Sequence, residues 1–122
     1  MRYILLIYGD EVAFDALSDE DQRTLHEAWD RYAQHVVDRG VMRGGDQLAP
    51  TGSATTVSER AGEMLVTDGP YAETKEQLGG YFIVEVDDLD TALELAKAMP
   101  GVHGGSIEIR PIVEVTVPEA AA

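Results

Sequence analysis

The residues able to do chemistry gather at a few points. In VTDGPYAETK, residues 66–75, Asp68 precedes Gly69 and Pro70, and Glu73 stands two positions before Lys75. Proline has no N–H to donate and biases the residue before it toward extended backbone. Asp-Gly-Pro therefore turns the chain abruptly out of a strand and fixes where Asp68 points. A carboxylate held in this way can act as a general acid or base, with Lys75 as its charge partner and Glu73 as an orienting group. The same residues admit a plainer reading, an Asx-turn at Asp68 and a local surface ion pair at Lys75 worth about 0–1 kcal/mol. Glu108 and Arg110 lie two apart on a strand and so share a face. Arg110 then either neutralises Glu108 or clamps an anionic ligand group with its planar fork. His103, in the loop GVHGG, is a candidate titrating base. Tyr71 and Tyr81 can offer hydroxyls to a ligand, and a core ring with a satisfied hydroxyl is the alternative for Tyr81.

Other chemistries are excluded. The chain has no cysteine, which removes disulfides, thiolate nucleophiles and Cys-based zinc sites. Its histidines, at 26, 35 and 103, have no metal-ligating spacing, so no metal is expected. No nucleophile elbow or phosphate-binding glycine loop is present, and no cofactor is called for. Twenty-three Asp and Glu against nine Lys and Arg give a formal charge of -14. Such a field repels phosphate backbones and anionic headgroups, so neither nucleic acid nor membrane is an expected partner. The longest early apolar run, YILLIY, is too short for a membrane span or a signal-peptide core, and the expected location is the cytoplasm.

At 122 residues the chain reads as one domain, residues 1–118, followed by a frayed tail over 119–122. Met1 to Tyr8 reads as a strand covered on both faces, because its apolar residues do not alternate. Ser18 with Asp21 marks a helix start, Leu25, Trp29, Tyr32 and Val36 recur at helical spacing, and Gly40 closes the helix. Residues 54–57 and 63–67 flank a turn at 60–62 and read as a hairpin. Tyr81 to Val86 is a second apolar strand, entered through a turn at Gly79 and Gly80. Asp88 or Asp90 caps a short helix with Leu89, Leu93 and Ala96 inward. Ile107, Ile109, Val113, Val115 and Val117 alternate with polar residues along a last strand. This order is two strand-helix-strand units, the ferredoxin-like α+β plan βαββαβ, with the hairpin inserted. Two helices cover one face of such a sheet, and a second copy of the chain is the most economical cover for the other.

The run DGPYAETKEQLGGYFIVEV, together with LLIYGDE, GGDQLAP and IEIRPIVEV, resembles the YCII-related or DGPF-domain family across nearly the whole chain. Tyr71 stands where the family's name has Phe. The resemblance implies a dimeric ferredoxin-like α/β barrel, with a cleft between sheet and helices and an enzymatic role. It also implies a regulatory alternative, association with an extracytoplasmic-function sigma factor. A His-Asp pair from the first helix region is a further implied feature, with His26 and Asp30, or His35 and Asp38, as candidates and a solvated helix face as the alternative. The functional expectation is a cofactor-independent acid-base enzyme acting on a small polar or anionic molecule. Its catalytic candidates are Asp68, Lys75 and His103, and its ligand contacts are Tyr71, Glu73, Tyr81, Glu108 and Arg110. The rival is a non-catalytic module that binds a ligand or a protein.

Overall fold

The computed structural model describes residues 1–116, so Val117 and the expected tail lie outside the described residues. Alternation decides the sheet. In β1, Arg2–Gly9, the side chains of Tyr3 and Leu5 point to one face and are buried, with Leu5 at 0% exposure. β1 pairs antiparallel with β5 and β6 (Gln77–Glu85 and Gly105–Pro111), and β5 pairs antiparallel with β2, Met42–Gln47. The four strands stand in the order β2-β5-β1-β6, the ferredoxin-like arrangement.

Two helices cover the face that carries Tyr3 and Leu5. α2, Asp19–Asp38, starts where the Ser18 hydroxyl accepts the Asp21 N–H at 3.1 Å, and Gly40, at φ 74°, turns the chain away after its end. α3, Leu89–Lys97, is capped by Asp88, whose carboxylate accepts from the Thr91 N–H at 2.9 Å. Tyr32 and Val36 of α2 and Ala92, Leu95 and Met99 of the α3 region close over Tyr3, Leu5, Val84 and Val86 to form the core. A third, short helix, α1 (Glu11–Asp15), is absent from the expected plan. It forms because Asp10 accepts the Ala13 N–H at 3.1 Å and so caps the exit from β1.

Several expectations change. Gly79 and Gly80 do not make a turn into the strand; both lie within β5, and a Cβ at Gly80 would stand 2.9 Å from the Asp46 carbonyl oxygen of β2. The Gly-rich stretch after α2 holds the edge strand β2. The last strand ends at Pro111, with one further backbone bond from the Ile112 N–H to the Arg2 carbonyl at 2.9 Å where β1 begins, and Val113 and Val115 are exposed. Leu89 is exposed as well, and the α3 stripe runs through Ala92, Leu95 and Ala96.

The inserted hairpin is present and stands apart. β3, Thr55–Arg60, and β4, Glu63–Asp68, pair with each other in a separate two-stranded sheet. Ala61 and Gly62 both have positive φ, 51° and 80°, which makes the two-residue turn whose twist suits a hairpin. The second face of the main sheet carries Ile4, Leu6, Tyr81 and Ile83 at its centre, and none of the described helices covers it. None of the described helices is long and apolar enough to cross a membrane.

Candidate functional site

One end of the sheet opens into a cavity of about 970 Å³. The end of β1, the start of β5 and the end of β2 form its floor; α1, the first half of α2 and the turn over Pro100–His103 form its walls. Tyr8, Phe14, Trp29 and Phe82 are among the aromatic residues that line it. Trp29 and Phe82 form an aromatic cluster with buried Tyr32, since Trp29 meets Tyr32 edge-on at 6.0 Å and Phe82 lies 5.6 Å from Tyr32. Gly101 lets the turn close against the indole, because a Cβ there would sit 2.8 Å from Trp29 Cζ2.

The polar lining is one-sided. Asp10, Glu11, Asp15, Asp30 and Asp46 face the cavity, with His26 and His103, and among the described residues no Lys or Arg does. Two of these carboxylates have structural work. Asp10 caps α1, and Glu11 accepts the Thr51 N–H at 2.9 Å and the Thr51 hydroxyl at 2.8 Å. Gln77, at the start of β5, accepts the Glu11 N–H at 2.9 Å. Glu11 thus ties α1 to the chain entering the arm and to the strand leaving it. At the other side, Tyr81 donates to Asp46 Oδ2 at 2.6 Å. That hydrogen bond, reinforced by the negative charge of Asp46, holds the Tyr81 phenol above its ordinary range. His26 stacks at a tilt on Phe14, with ring centroids 5.7 Å apart. His35 and Asp38, the other candidate pair on α2, are exposed, and neither lines the cavity.

Of the catalytic candidates, only His103 lines this cavity. Asp68 ends β4 on the exposed arm and Lys75 is exposed in the return from the arm to β5; neither lines the cavity. Gly69, at φ 99°, bends the chain after Asp68, and its carbonyl accepts the Thr56 hydroxyl at 2.7 Å, so Asp-Gly-Pro fastens the root of the arm. Among the ligand candidates Tyr81 lines the cavity, and Glu73 lines a smaller hollow beside Glu11, Thr51 and Gln77. Tyr71 is 91% exposed. Glu108 and Arg110 pair with each other at 3.6 Å on the bare face of the sheet, away from the cavity. The sequence reading missed Phe14, Trp29, Asp46 and Phe82 as lining. Trp29 and Phe82 carried only a core signal, and Asp46 lay unremarked inside GGDQLAP.

The chain matches the YCII-related domain over residues 1–116. It is 36% identical over 114 residues to an uncharacterised protein of Rhizobium meliloti (strain 1021), with 92% of each chain covered. Its fold is similar to 5-chloro-2-hydroxyhydroquinone dehydrochlorinase (TftG) of Burkholderia phenoliruptrix AC1100, solved in complex with 2,5-dihydroxybenzoquinone. The TM-score is 0.56 at 10% identity, over 94% of this chain and 96% of that one.

Proposed function

From the premise that this chain belongs to the YCII-related domain family, we propose that its aromatic-walled cavity binds a small, uncharged or cationic organic molecule and acts on it by general acid-base chemistry. The lining carries this reading. Aromatic residues give an apolar slot for a flat or compact ligand, and the few convergent polar groups are those a binding site uses for orientation. Five carboxylates without a facing Lys or Arg disfavour an anion. At about 8 Å, each would cost an anion about 0.5–2 kcal/mol for an effective dielectric between about 80 and 20. A cation or a hydroxylated neutral molecule gains where the anion loses, and a cation over the Trp29 or Tyr8 ring adds about 0.5–2 kcal/mol. Arg110, expected as an anion clamp, is already paired with Glu108 elsewhere.

The proton carriers in this reading are His103 and His26, on two walls. The likeness in fold to a dehydrochlorinase of a chlorinated hydroxyhydroquinone agrees with a small ring compound as substrate class. We also propose that the working unit is a homodimer, with Ile4, Leu6, Tyr81 and Ile83 of the bare sheet face against the same face of a second copy.

Trp29 is the single tryptophan and stands in the cavity wall, so its fluorescence reports occupancy directly. Hydroxybenzenes, hydroxyquinones, aromatic amines and matched benzoates are titrated against the wild type and against Ala33→Phe, which fills the cavity from α2. Saturable quenching by neutral or cationic members, lost in Ala33→Phe, supports the reading. No saturable binder in the panel, preference for the benzoates, or equal binding by the filled variant overturns it. For a member that is turned over, His103→Ala and His26→Ala should lower kcat while quenching persists.

A further inference from the structure

The arm formed by β3 and β4 has two unlike faces. Register places Val57 opposite Val66 and Glu59 opposite Met64, so Val57, Met64 and Val66 share one face of the ribbon. They are 60%, 67% and 67% exposed. A lone two-stranded ribbon is at best marginally stable in water, and this one leaves its apolar strip bare. The body of its own chain does not cover it, since neither strand joins the main sheet and the hydrogen bonds that tie the arm down lie at its root, from the Gly69 N–H to the Ala54 carbonyl at 2.7 Å and from Thr56 to Gly69.

Charge points to what does cover it. A chain of formal charge -14 repels a second copy of itself over most of its surface. The bare face of the main sheet and its edge are the exception. Arg2, Arg43 and Arg110 lie there, each within ion-pair distance of a glutamate: Glu114 at 2.8 Å, Glu85 at 3.8 Å and Glu108 at 3.6 Å. That surface is locally neutral around an apolar centre, so a second copy can approach it without the general repulsion.

Area shows that the sheet face alone is too small. Four strands about 4.8 Å apart and about seven residues long present a footprint of about 450 Å², or about 900 Å² for two copies. A stable interface buries about 1,200–2,000 Å². One face of a six-residue, two-stranded arm adds about 200 Å², so two arms and the surfaces beneath them add about 800 Å² and bring the total into that range.

We propose that the arm of each copy lies across the other copy, with Val57, Met64 and Val66 buried on it, and that the two arms complete the dimer whose centre is the bare sheet face. The inference rests on the homodimer reading given above. The ordered root fits it, because Gly69 and Pro70 must fix the direction in which the arm leaves its own body in order to reach the neighbour.

The test uses the full chain in sedimentation equilibrium and in hydrogen exchange, each at concentrations above and below dimer dissociation. The amides of residues 55–68 should be protected above dissociation and lose that protection below it. Val57→Thr with Met64→Thr and Val66→Thr keeps the strand propensity and removes the strip; it should weaken the dimer at least tenfold while leaving the far-ultraviolet spectrum and Trp29 emission unchanged. Val66→Asp alone should weaken it by a comparable factor, and serves should the triple variant fail to fold. Dimerisation with wild-type affinity in both variants, or arm exchange that ignores concentration, overturns the arm proposal and leaves the sheet-face dimer standing. Arm protection that appears only with a different protein overturns it likewise. A wild type that stays monomeric at every concentration overturns both.

Discussion

Tyr32→Phe removes one oxygen from the wall between core and cavity, and its effect can be worked out. The Tyr32 hydroxyl donates to the Leu95 carbonyl at 2.6 Å in a buried contact. At the end of α3 the Ala98 N–H goes to Glu94 and the Met99 N–H to Ala96, so the helix itself bypasses the Leu95 carbonyl. Tyr32 is therefore a side-chain cap for the last turn of α3, supplied by α2. Phenylalanine keeps the ring packing on Trp29 and Phe82 and strands a buried acceptor, a cost of about 1–3 kcal/mol. At about 2.1 cal/mol/K per residue over 122 residues, a loss of 2 kcal/mol lowers Tm by about 8 °C. Alkali supplies the second half of the test. Burial pushes the Tyr32 phenol up from 10.0 to about 12. A folded value above the unfolded one means stability that is complete below pH 10 and is lost as pH rises through 12, a loss on the order of 1–2 kcal/mol in all. The variant has no such loss, so the gap between wild type and Tyr32→Phe should narrow from about pH 10 upward. Urea unfolding followed by circular dichroism measures both. A gap under about 0.5 kcal/mol at neutral pH, or one that does not change with alkali, would refute the capping argument.

Other substitutions probe other joints. Gly105→Ala drives a Cβ into the Tyr8 backbone carbonyl, with Gly9 Cα and the Gly101 carbonyl each 3.2 Å away; none of these can rotate aside, so urea melts should show a loss of about 1–3 kcal/mol or more. Ala61→Gly relieves a left-handed alanine at the tip of the arm and should slow amide exchange in β3 and β4, a gain of about 0.5–1 kcal/mol. Hydrogen bonds from the Thr91 hydroxyl first, and then from its N–H, hold the Asp88 carboxyl below its ordinary value. The stability it supplies is therefore present above the unfolded pKa and lost as pH falls through the lowered folded one; Asp88→Asn, which caps α3 at any pH, should lack that component in acid titrations. Glu11→Ala frees Thr51 and should speed exchange across α1 and weaken binding of any cavity probe seen by Trp29 fluorescence, whereas an unaffected α1 would show that the brace is idle.

What was legible in the sequence was what local chemistry and periodicity decide. Ser18 with Asp21 marked the start of α2, Gly40 its end and Asp88 or Asp90 the start of α3, where the cap is Asp88, because each makes its bond within three residues of itself or takes a backbone form few residues adopt. The two dense apolar runs gave β1 and β5. β2 stayed hidden, since MRGGDQ carries almost no strand propensity and is a strand because β5 offers it an edge to pair with. The expected extension of β6 failed for the converse reason: its pattern continues to Val117, but β1 begins at Arg2, which takes the last backbone bond, from the Ile112 N–H. The cavity was least visible of all. His103 and Tyr81 were singled out, yet the wall that makes them useful comes from Phe14, Trp29, Asp46 and Phe82, which are far apart in sequence and meet only through the crossing of α2 over the sheet.

The run from Asp68 to Gln77 also has a physical account, and it is architectural. Asp-Gly-Pro fixes the root of the arm through Gly69, and Gln77, closing the same run, receives the Glu11 N–H while Glu11 holds Thr51 on the opposite side of the arm. Three stretches distant in sequence are knotted at one point, where the chain leaves the sheet for the arm and returns. The same knot is shared by two functions: α1, which it anchors, walls the cavity, and the arm, which it aims, carries the apolar strip. A change at the knot should therefore move ligand binding and association together. A change at His103 should move only the first, and one at Val66 only the second.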